Sequence, residues 1–182
     1  MPTAGYYSSF FQQFPIYSDQ PYLKNGFSTS HYKELNEDII GALKFRVNTV
    51  NAIGDDDVKL SQRLSASTRQ LRGFEAGKVG PKDGKDYVGG NYSTSLNLEA
   101  NLPNFFPEKS NAEIGLFLDA GNVWGVDYSD SIDDSNKIRS TIGINTSWLS
   151  PAGPLSFVIS NNLSKASTDV TQTFNFRLGT TF

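Results

Sequence analysis

Very few residues of this 182-residue chain have the type and spacing that enzymatic chemistry needs. Any Ser–His–Asp triad or histidine metal site would have to use His31, the single histidine, which lies in a strand-like segment. Residues 55–57 are all aspartate, but their spacing is not that of an EF-hand calcium loop. Cysteine is absent, which excludes disulfides and thiolate metal sites. We therefore expect no catalytic residue, no metal, no cofactor and no enzymatic activity.

The residues best suited to a buried polar contact are Arg72, Gly73 and Phe74 in the segment LRGF. They combine a guanidinium fork, a permissive backbone and an aromatic anchor. An arginine carried into an interior needs carboxylate partners there. Glu99 and Asp119 are candidates, because strand alternation places both on the inward faces of neighbouring predicted strands. Phase alone does not identify Arg72 as the bridging group, and a plain surface cation with ordinary lumen-facing acids stays an alternative.

The last twelve residues, TQTFNFRLGTTF, have an apolar face and a polar face when they form a strand. The residues that share the apolar parity are Phe174, Phe176, Leu178, Thr180 and Phe182. Such an edge strand would be an aggregation hazard in water. It is typical of the closing strand of a membrane barrel, with its apolar face toward lipid and its polar face toward a wet lumen.

The same alternation predicts further strands in residues 91–102, 112–124, 138–148 and 153–163, and more weakly in residues 3–16, 26–35 and 42–53. The total is about eight strands of about ten residues, enough for tilted strands to cross a bilayer. Connections alternate between short ones (33–38, 149–154) and long polar ones (54–90, 125–137), which places the long ones outside the cell. The predicted fold class is all-β, an antiparallel transmembrane β-barrel.

Composition excludes several other classes. The formal charge of −3 is spread along the chain, so there is no basic stripe for nucleic acid. No apolar run is long enough for a transmembrane helix. The first residues lack the charged and apolar regions of a signal peptide, so we expect the export signal to lie upstream and the chain to be a fragment.

In motif order the chain resembles the C-terminal half of the barrel domain of the BamA family of outer-membrane protein assembly factors, within the bacterial surface antigen superfamily. The segments that carry the resemblance are LRGF, GPKDG, VGGN, LEANLP, LFLDAGNVW, DDSNKIRSTIG, SPAGPLSF and FNFRLGTTF. The resemblance implies that residues 1–182 supply about eight strands of a sixteen-stranded barrel. It implies that the N-terminal barrel half and the POTRA repeats are absent. It also implies that external loop 54–90 folds into the lumen, where Arg72 contacts Glu99 and Asp119. The last strand resembles the family's targeting signal and one side of its lateral gate.

The function implied by the resemblance is non-enzymatic folding and insertion of β-barrel proteins into the outer membrane of a Gram-negative cell. The implied partners are the lipid bilayer, nascent outer-membrane β-barrel proteins and the lipoproteins of the BAM complex, with no nucleic acid and no small-molecule substrate. Two alternatives stay open: a two-partner secretion-type polypeptide transporter, and a stand-alone small barrel with a structural or channel role. Upstream domains would separate them.

Overall fold

The computed structural model describes residues 3–15, 17, 19–103, 112–132, 137–150 and 153–179. Within these residues the regular secondary structure is β-strand, apart from one short 3-10 turn. The strands are β1 Gly5–Gln13, β2 Tyr22–Glu34, β3 Ile40–Ala52, β4 Lys82–Asp83, β5 Asp86–Tyr87, β6 Tyr92–Asn101, β7 Ala112–Trp124, β8 Arg139–Ser150, β9 Gly153–Ser164 and β10 Phe174–Leu178. The described residues contain no helix long and apolar enough to cross a membrane.

Eight strands form one antiparallel sheet in the order β1-β2-β3-β6-β7-β8-β9-β10, and β4 and β5 form a small separate hairpin. The neighbours follow chain order throughout, with the long connection between β3 and β6 carrying the hairpin. Across the described residues the sheet is open, with β1 and β10 at its two edges. The predicted fold class, an all-β antiparallel sheet of about eight strands, is confirmed.

The two faces of the sheet differ in chemistry, as a period of two dictates. One row of register partners runs Leu43, Leu98, Leu118, Ile142 across β3 to β8. These side chains are 38% to 48% exposed, which would be costly in water and is typical of a surface against lipid. The next row, on the opposite face, runs Lys44, Asn97, Asp119, Thr141. The sheet therefore has an apolar outer face and a polar inner face.

The buried apolar cluster lies in the long connection rather than between two sheets. Leu71, Phe74 and Val79 form it, with Ala66 packed against them. The same connection contains a 3-10 turn at Leu60–Gln62 and the β4–β5 hairpin. The loop thus has its own compact interior, which it presses against the inner face of the sheet.

The terminal strand is shorter than its alternation predicts. The prediction covered residues 171–182, whereas β10 spans Phe174–Leu178. Thr171 pairs with Phe74 of the long loop instead of continuing along β9. Thr180 and Phe182 lie outside the described residues, as do residues 133–136 of the predicted connection 125–137 and residues 151 and 152 of the predicted connection 149–154. The extent of this strand is therefore decided by a tertiary contact that strand periodicity does not encode.

Candidate functional site

The long loop brings Arg72 against the inner face of β6 and β7. Arg72 is 8% exposed, and its guanidinium meets carboxylates from both strands. Asp119 lies at the centre of β7, and Glu99 lies toward the end of β6. The structure therefore places Arg72, Glu99 and Asp119 together. Arg72 lies near the middle of a loop that starts and finishes on neighbouring strands.

Asp119 is the more deeply buried partner, with no exposed surface. Its Oδ2 accepts hydrogen bonds from the Arg72 backbone N–H at 3.0 Å and from Arg72 Nε at 2.7 Å. Its Oδ1 accepts from Arg72 Nη2 at 2.6 Å and from Asn97 Nδ2 at 2.8 Å. Two parallel charge-assisted bonds from one guanidinium fix both distance and orientation. Asp119 therefore holds the backbone and the side chain of Arg72 at once.

Glu99 is shared between two cations. Its Oε1 lies 2.9 Å from Arg72 Nη2, and its Oε2 accepts from Lys44 Nζ at 2.5 Å. Its side chain is 14% exposed, and that of Lys44 is 21% exposed. Because Lys44 remains beside it, Glu99 keeps a counter-charge even when Arg72 is removed.

An aromatic ring completes the guanidinium site. The Arg72 Cζ lies 3.8 Å from the ring centroid of Phe117, a cation–π contact in a desolvated position. Gly143 makes room for this ring, since a Cβ added there would lie 2.6 Å from Phe117 Cζ. The inward parity of Phe117 was readable from the sequence, but nothing in the pattern indicated that it would lie under an arginine.

Gly73 lets the loop backbone approach the barrel wall. Its φ is +86°, and an added Cβ would lie 2.9 Å from both Ser160 Oγ and Thr141 Cγ2. Its carbonyl accepts from Asn162 Nδ2 at 3.0 Å, and the Arg72 carbonyl accepts from Thr141 Oγ1 at 2.8 Å. A side chain at this position would meet both strain and collision. Thr141 and Asn162 are site residues that the sequence did not single out.

Phe74 has a different role from its neighbours. It is 2% exposed and belongs to the apolar cluster of the loop. It also pairs with Thr171, directly before the terminal strand. Phe74 therefore packs within the interior of the loop and also joins the loop to the segment that leads into β10.

The apolar residues of the terminal strand lie apart from the arginine site. Phe174, Phe176 and Leu178 are 49% to 62% exposed, on the outer face of the sheet. Phe176 packs against Phe157 with ring centroids 5.1 Å apart. The polar parity of β10 does reach the loop, because Arg177 Nη2 donates to the Thr68 carbonyl at 3.1 Å. His31 is exposed on β2 and takes no part in this site.

Two further ion pairs join connections at the same end of the sheet, and neither was predicted from the sequence. Arg139 donates through Nε and Nη2 to the carboxylate of Asp169 at 3.0 and 2.9 Å. Arg63 pairs with Asp127, which also accepts from the Val58 backbone N–H at 3.0 Å. Each pair joins segments distant in sequence, so no local motif could have found it.

Asp127 titrates differently from a free aspartate. Partial burial alone would raise its pKa. The hydrogen bonds from Val58, Asn91 and Arg63, together with the Arg63 charge, outweigh that effect and hold the pKa of Asp127 below its usual value. The contact between the long loop and the β7–β8 connection is therefore an ionic one at neutral pH.

The sheet has an apolar outer face of the kind that contacts lipid and a polar inner face, against which the long loop is held by the buried Arg72. This arrangement is that of part of the wall of an outer-membrane β-barrel. A sequence model described as the Omp85 superfamily domain matches residues 1–182. The chain therefore belongs to the Omp85 superfamily, and it is located in the outer membrane.

Individual relatives give the same assignment. The chain is 33% identical over 141 residues to the outer membrane protein assembly factor BamA of Neisseria meningitidis serogroup B, covering 62% of this chain and 17% of that protein. It is 25% identical over 187 residues to BamA of Neorickettsia risticii, covering 100% of this chain and 25% of that protein. The crystal structure of Haemophilus ducreyi BamA lacking POTRA domains 1–3 superimposes with a TM-score of 0.88 at 31% identity, covering 100% of this chain and 39% of that one.

These matches confirm the resemblance to the BamA family on which the sequence analysis relied. The chain spans a quarter or less of the length of the two curated relatives. It is therefore similar to one region of those proteins.

Proposed function

We propose that this chain is the C-terminal part of the barrel of an outer-membrane assembly factor, which folds and inserts β-barrel proteins into the outer membrane without enzymatic chemistry. The observation that carries the proposal is the inward loop, whose Arg72 is seated on Asp119 and Glu99. Superfamily membership and the similarity to BamA proteins support it. In this proposal residues 1–182 belong to one barrel domain, and residues 54–90 are its long external loop.

The physical task is to bring a polar backbone into hydrocarbon. A nascent strand has unpaired backbone N–H and C=O groups. Moving each of them into lipid without a hydrogen-bond partner costs on the order of several kcal/mol of free energy. A barrel with a weak seam offers strand edges on which an incoming strand pairs before it meets lipid. We assign β10 to one side of that seam, because it pairs with β9 over the five residues Phe174 to Leu178 only.

The loop is the brace in this proposal. A barrel that opens at its seam loses the closure that normally holds its strands in place. Arg72 ties β6 and β7 to the loop, and Thr141 and Asn162 tie β8 and β9 to the same segment. Four consecutive strands are thereby held through one loop while the seam opens. The further proposal is that the intact protein works on nascent barrel proteins together with the lipoproteins of the assembly complex.

The test is complementation in cells depleted of the intact protein. Arg72→Ala is expected to lower the amount of folded, heat-modifiable β-barrel proteins in the outer membrane, while the variant itself is still inserted. Arg72→Lys is expected to restore function only in part, because lysine cannot form the two parallel bonds that Asp119 accepts. Arg63→Ala is the matched control, since it removes a cation of the same loop that pairs with Asp127, away from Asp119 and Glu99.

Full complementation by Arg72→Ala, with normal levels of folded barrel proteins, would contradict the role given to the loop. A polypeptide transporter would give another pattern: one exported passenger would be lost and the general population of barrel proteins would be unaffected.

A further inference from the structure

The chain directly before β10 is paired with the long loop rather than with its neighbour in the sheet. Thr171 forms an isolated antiparallel bridge with Phe74. The backbone bonds of this bridge are Gln172 N–H to the Gly73 carbonyl at 2.9 Å and Glu75 N–H to the Val170 carbonyl at 3.0 Å, and a third bond runs from Val170 N–H to the Lys78 carbonyl at 3.1 Å. The loop therefore holds this segment through main-chain groups.

Among the residues that the structure describes, the outer half of β9 has no strand partner on that side. β9 continues to Ser164, but its ladder with β10 reaches only Ile159, followed by a single bond from Ser160 N–H to the Thr173 carbonyl at 2.9 Å. The same register, continued outward, would set Gln172, Thr171 and Val170 opposite Asn161, Asn162 and Leu163. Asn162 instead gives its side-chain amide to the Gly73 carbonyl.

The sequence is compatible with both pairings. Val170 has the same parity as Phe174 and Phe176, so an extended β10 would place Val170 beside Leu163 on the outer face. Both side chains are exposed as the structure stands, at 38% and 58%. Continuing the strand would therefore add the apolar pair Val170–Leu163 to the outer face, together with the polar pair Gln172–Asn161.

We propose that the loop and β9 compete for residues 170–172, so that docking of Arg72 shortens the terminal strand and undocking lengthens it. The number of main-chain hydrogen bonds is nearly the same in the two states, because the bonds to the loop would be exchanged for those of a longer ladder between β9 and β10. The choice is then set by what only the docked state provides: the Arg72 site and the Phe74 cluster. This competition is a property of strand pairing and does not rest on the assembly function.

Two cysteine pairs that share one position report the two states. Val170→Cys with Glu75→Cys reports the loop pairing, and Val170→Cys with Leu163→Cys reports the extended strand. Directly opposed residues in antiparallel strands have Cα atoms about 4.5–5.5 Å apart, within disulfide range. The chain contains no cysteine, so the introduced pairs have no competitor within it. The intact protein is oxidised in outer-membrane vesicles, and the two cross-linked fractions are compared.

With Arg72 present, the pair at 75 and 170 is expected to dominate. In Arg72→Ala the ratio of the 163–170 product to the 75–170 product should rise about tenfold or more, since a buried ion pair has been broken. Gly73→Ala should shift the ratio in the same direction, because a Cβ at this position strains the docked backbone. Arg63→Ala, which removes a cation of the same loop at its contact with Asp127, should leave the ratio unchanged.

Heat-modifiable migration shows which variants are folded. If Arg72→Ala does not fold, the test is made with Gly73→Ala. An unchanged ratio in the folded variants would overturn the proposal. Loss of the 75–170 product without gain of the 163–170 product would also overturn it, because the segment would then be released rather than transferred to β9. An equal shift in Arg63→Ala would point to general loosening of the loop and would count against competition at the Arg72 site.

Discussion

The two carboxylates around Arg72 are expected to contribute very unequally to loop docking. In Asp119→Asn, one carboxylate oxygen is replaced by an amide NH2 group, which cannot accept the two hydrogen bonds made there. If Oδ2 is replaced, the bonds from Arg72 N and Nε are lost. If Oδ1 is replaced, those from Arg72 Nη2 and Asn97 Nδ2 are lost. Removing one partner of a buried ion pair costs about 3–5 kcal/mol, which is the loss expected at this fully buried position.

Glu99→Gln should cost much less. A glutamine oxygen can still accept from Arg72, and the new amide would face Lys44, whose side chain is partly exposed and free to turn toward water. The variant therefore loses the net contribution of about one hydrogen bond, about 1 kcal/mol. The difference between the two variants is therefore about 2–4 kcal/mol, which corresponds to about 30-fold or more in the docking equilibrium.

Hydrogen exchange of the intact protein in lipid measures this difference. The Arg72 and Glu75 backbone N–H groups donate to Asp119 and to Val170 in the docked loop, so both should lose protection when the loop leaves. Asp119→Asn should reduce the protection of this segment at least about 30-fold more than Glu99→Gln does. Peptides from β2 and β3 serve as the internal reference. Equal losses in the two variants, or a larger loss in Glu99→Gln, would refute the reasoning.

Three further changes test other parts of the molecule. Gly73→Ala should destabilise the docked loop by at least about 1–2 kcal/mol, because φ is +86° and the new Cβ meets β8 and β9, as urea unfolding of the reconstituted protein would register. Leu118→Lys should destabilise the barrel by about 2–4 kcal/mol in the same assay, because it places a charge on the lipid-facing row. Asp127 has a lowered pKa, so its pairing with Arg63 stabilises the folded protein above the usual aspartate pKa and is lost as pH falls through the lowered value. Limited proteolysis of the long loop should therefore accelerate as the pH falls below the usual aspartate pKa, and Asp127→Asn should abolish that acid step.

The strands and their faces were predictable because a strand repeats every two residues. Inward placement of Glu99 and Asp119 follows from that period, as does the outward row through Leu118. The contact between these acids and Arg72 was predicted only from the family motif. Strand periodicity does not indicate where in space the middle of a loop of more than thirty residues lies.

Other parts of the site depend on register and tertiary contacts that the sequence does not display. Thr141 and Asn162 meet the loop because β8 and β9 are set against β7 in one particular register. Arg139 and Asp169 lie thirty residues apart and have no shared motif. The alternation of the last segment continues through Thr171, yet the strand begins at Phe174, because the loop takes the preceding residues.

The most direct test of the central claim is reconstitution. The intact protein is placed in lipid vesicles, an unfolded outer-membrane β-barrel protein is added, and its folding is followed by heat-modifiable migration. The expected result is that the protein accelerates folding and that Asp119→Asn removes most of the acceleration, whereas Arg63→Ala keeps it. Folding at the rate of empty vesicles, under conditions where the protein is itself correctly inserted, would contradict the assembly function.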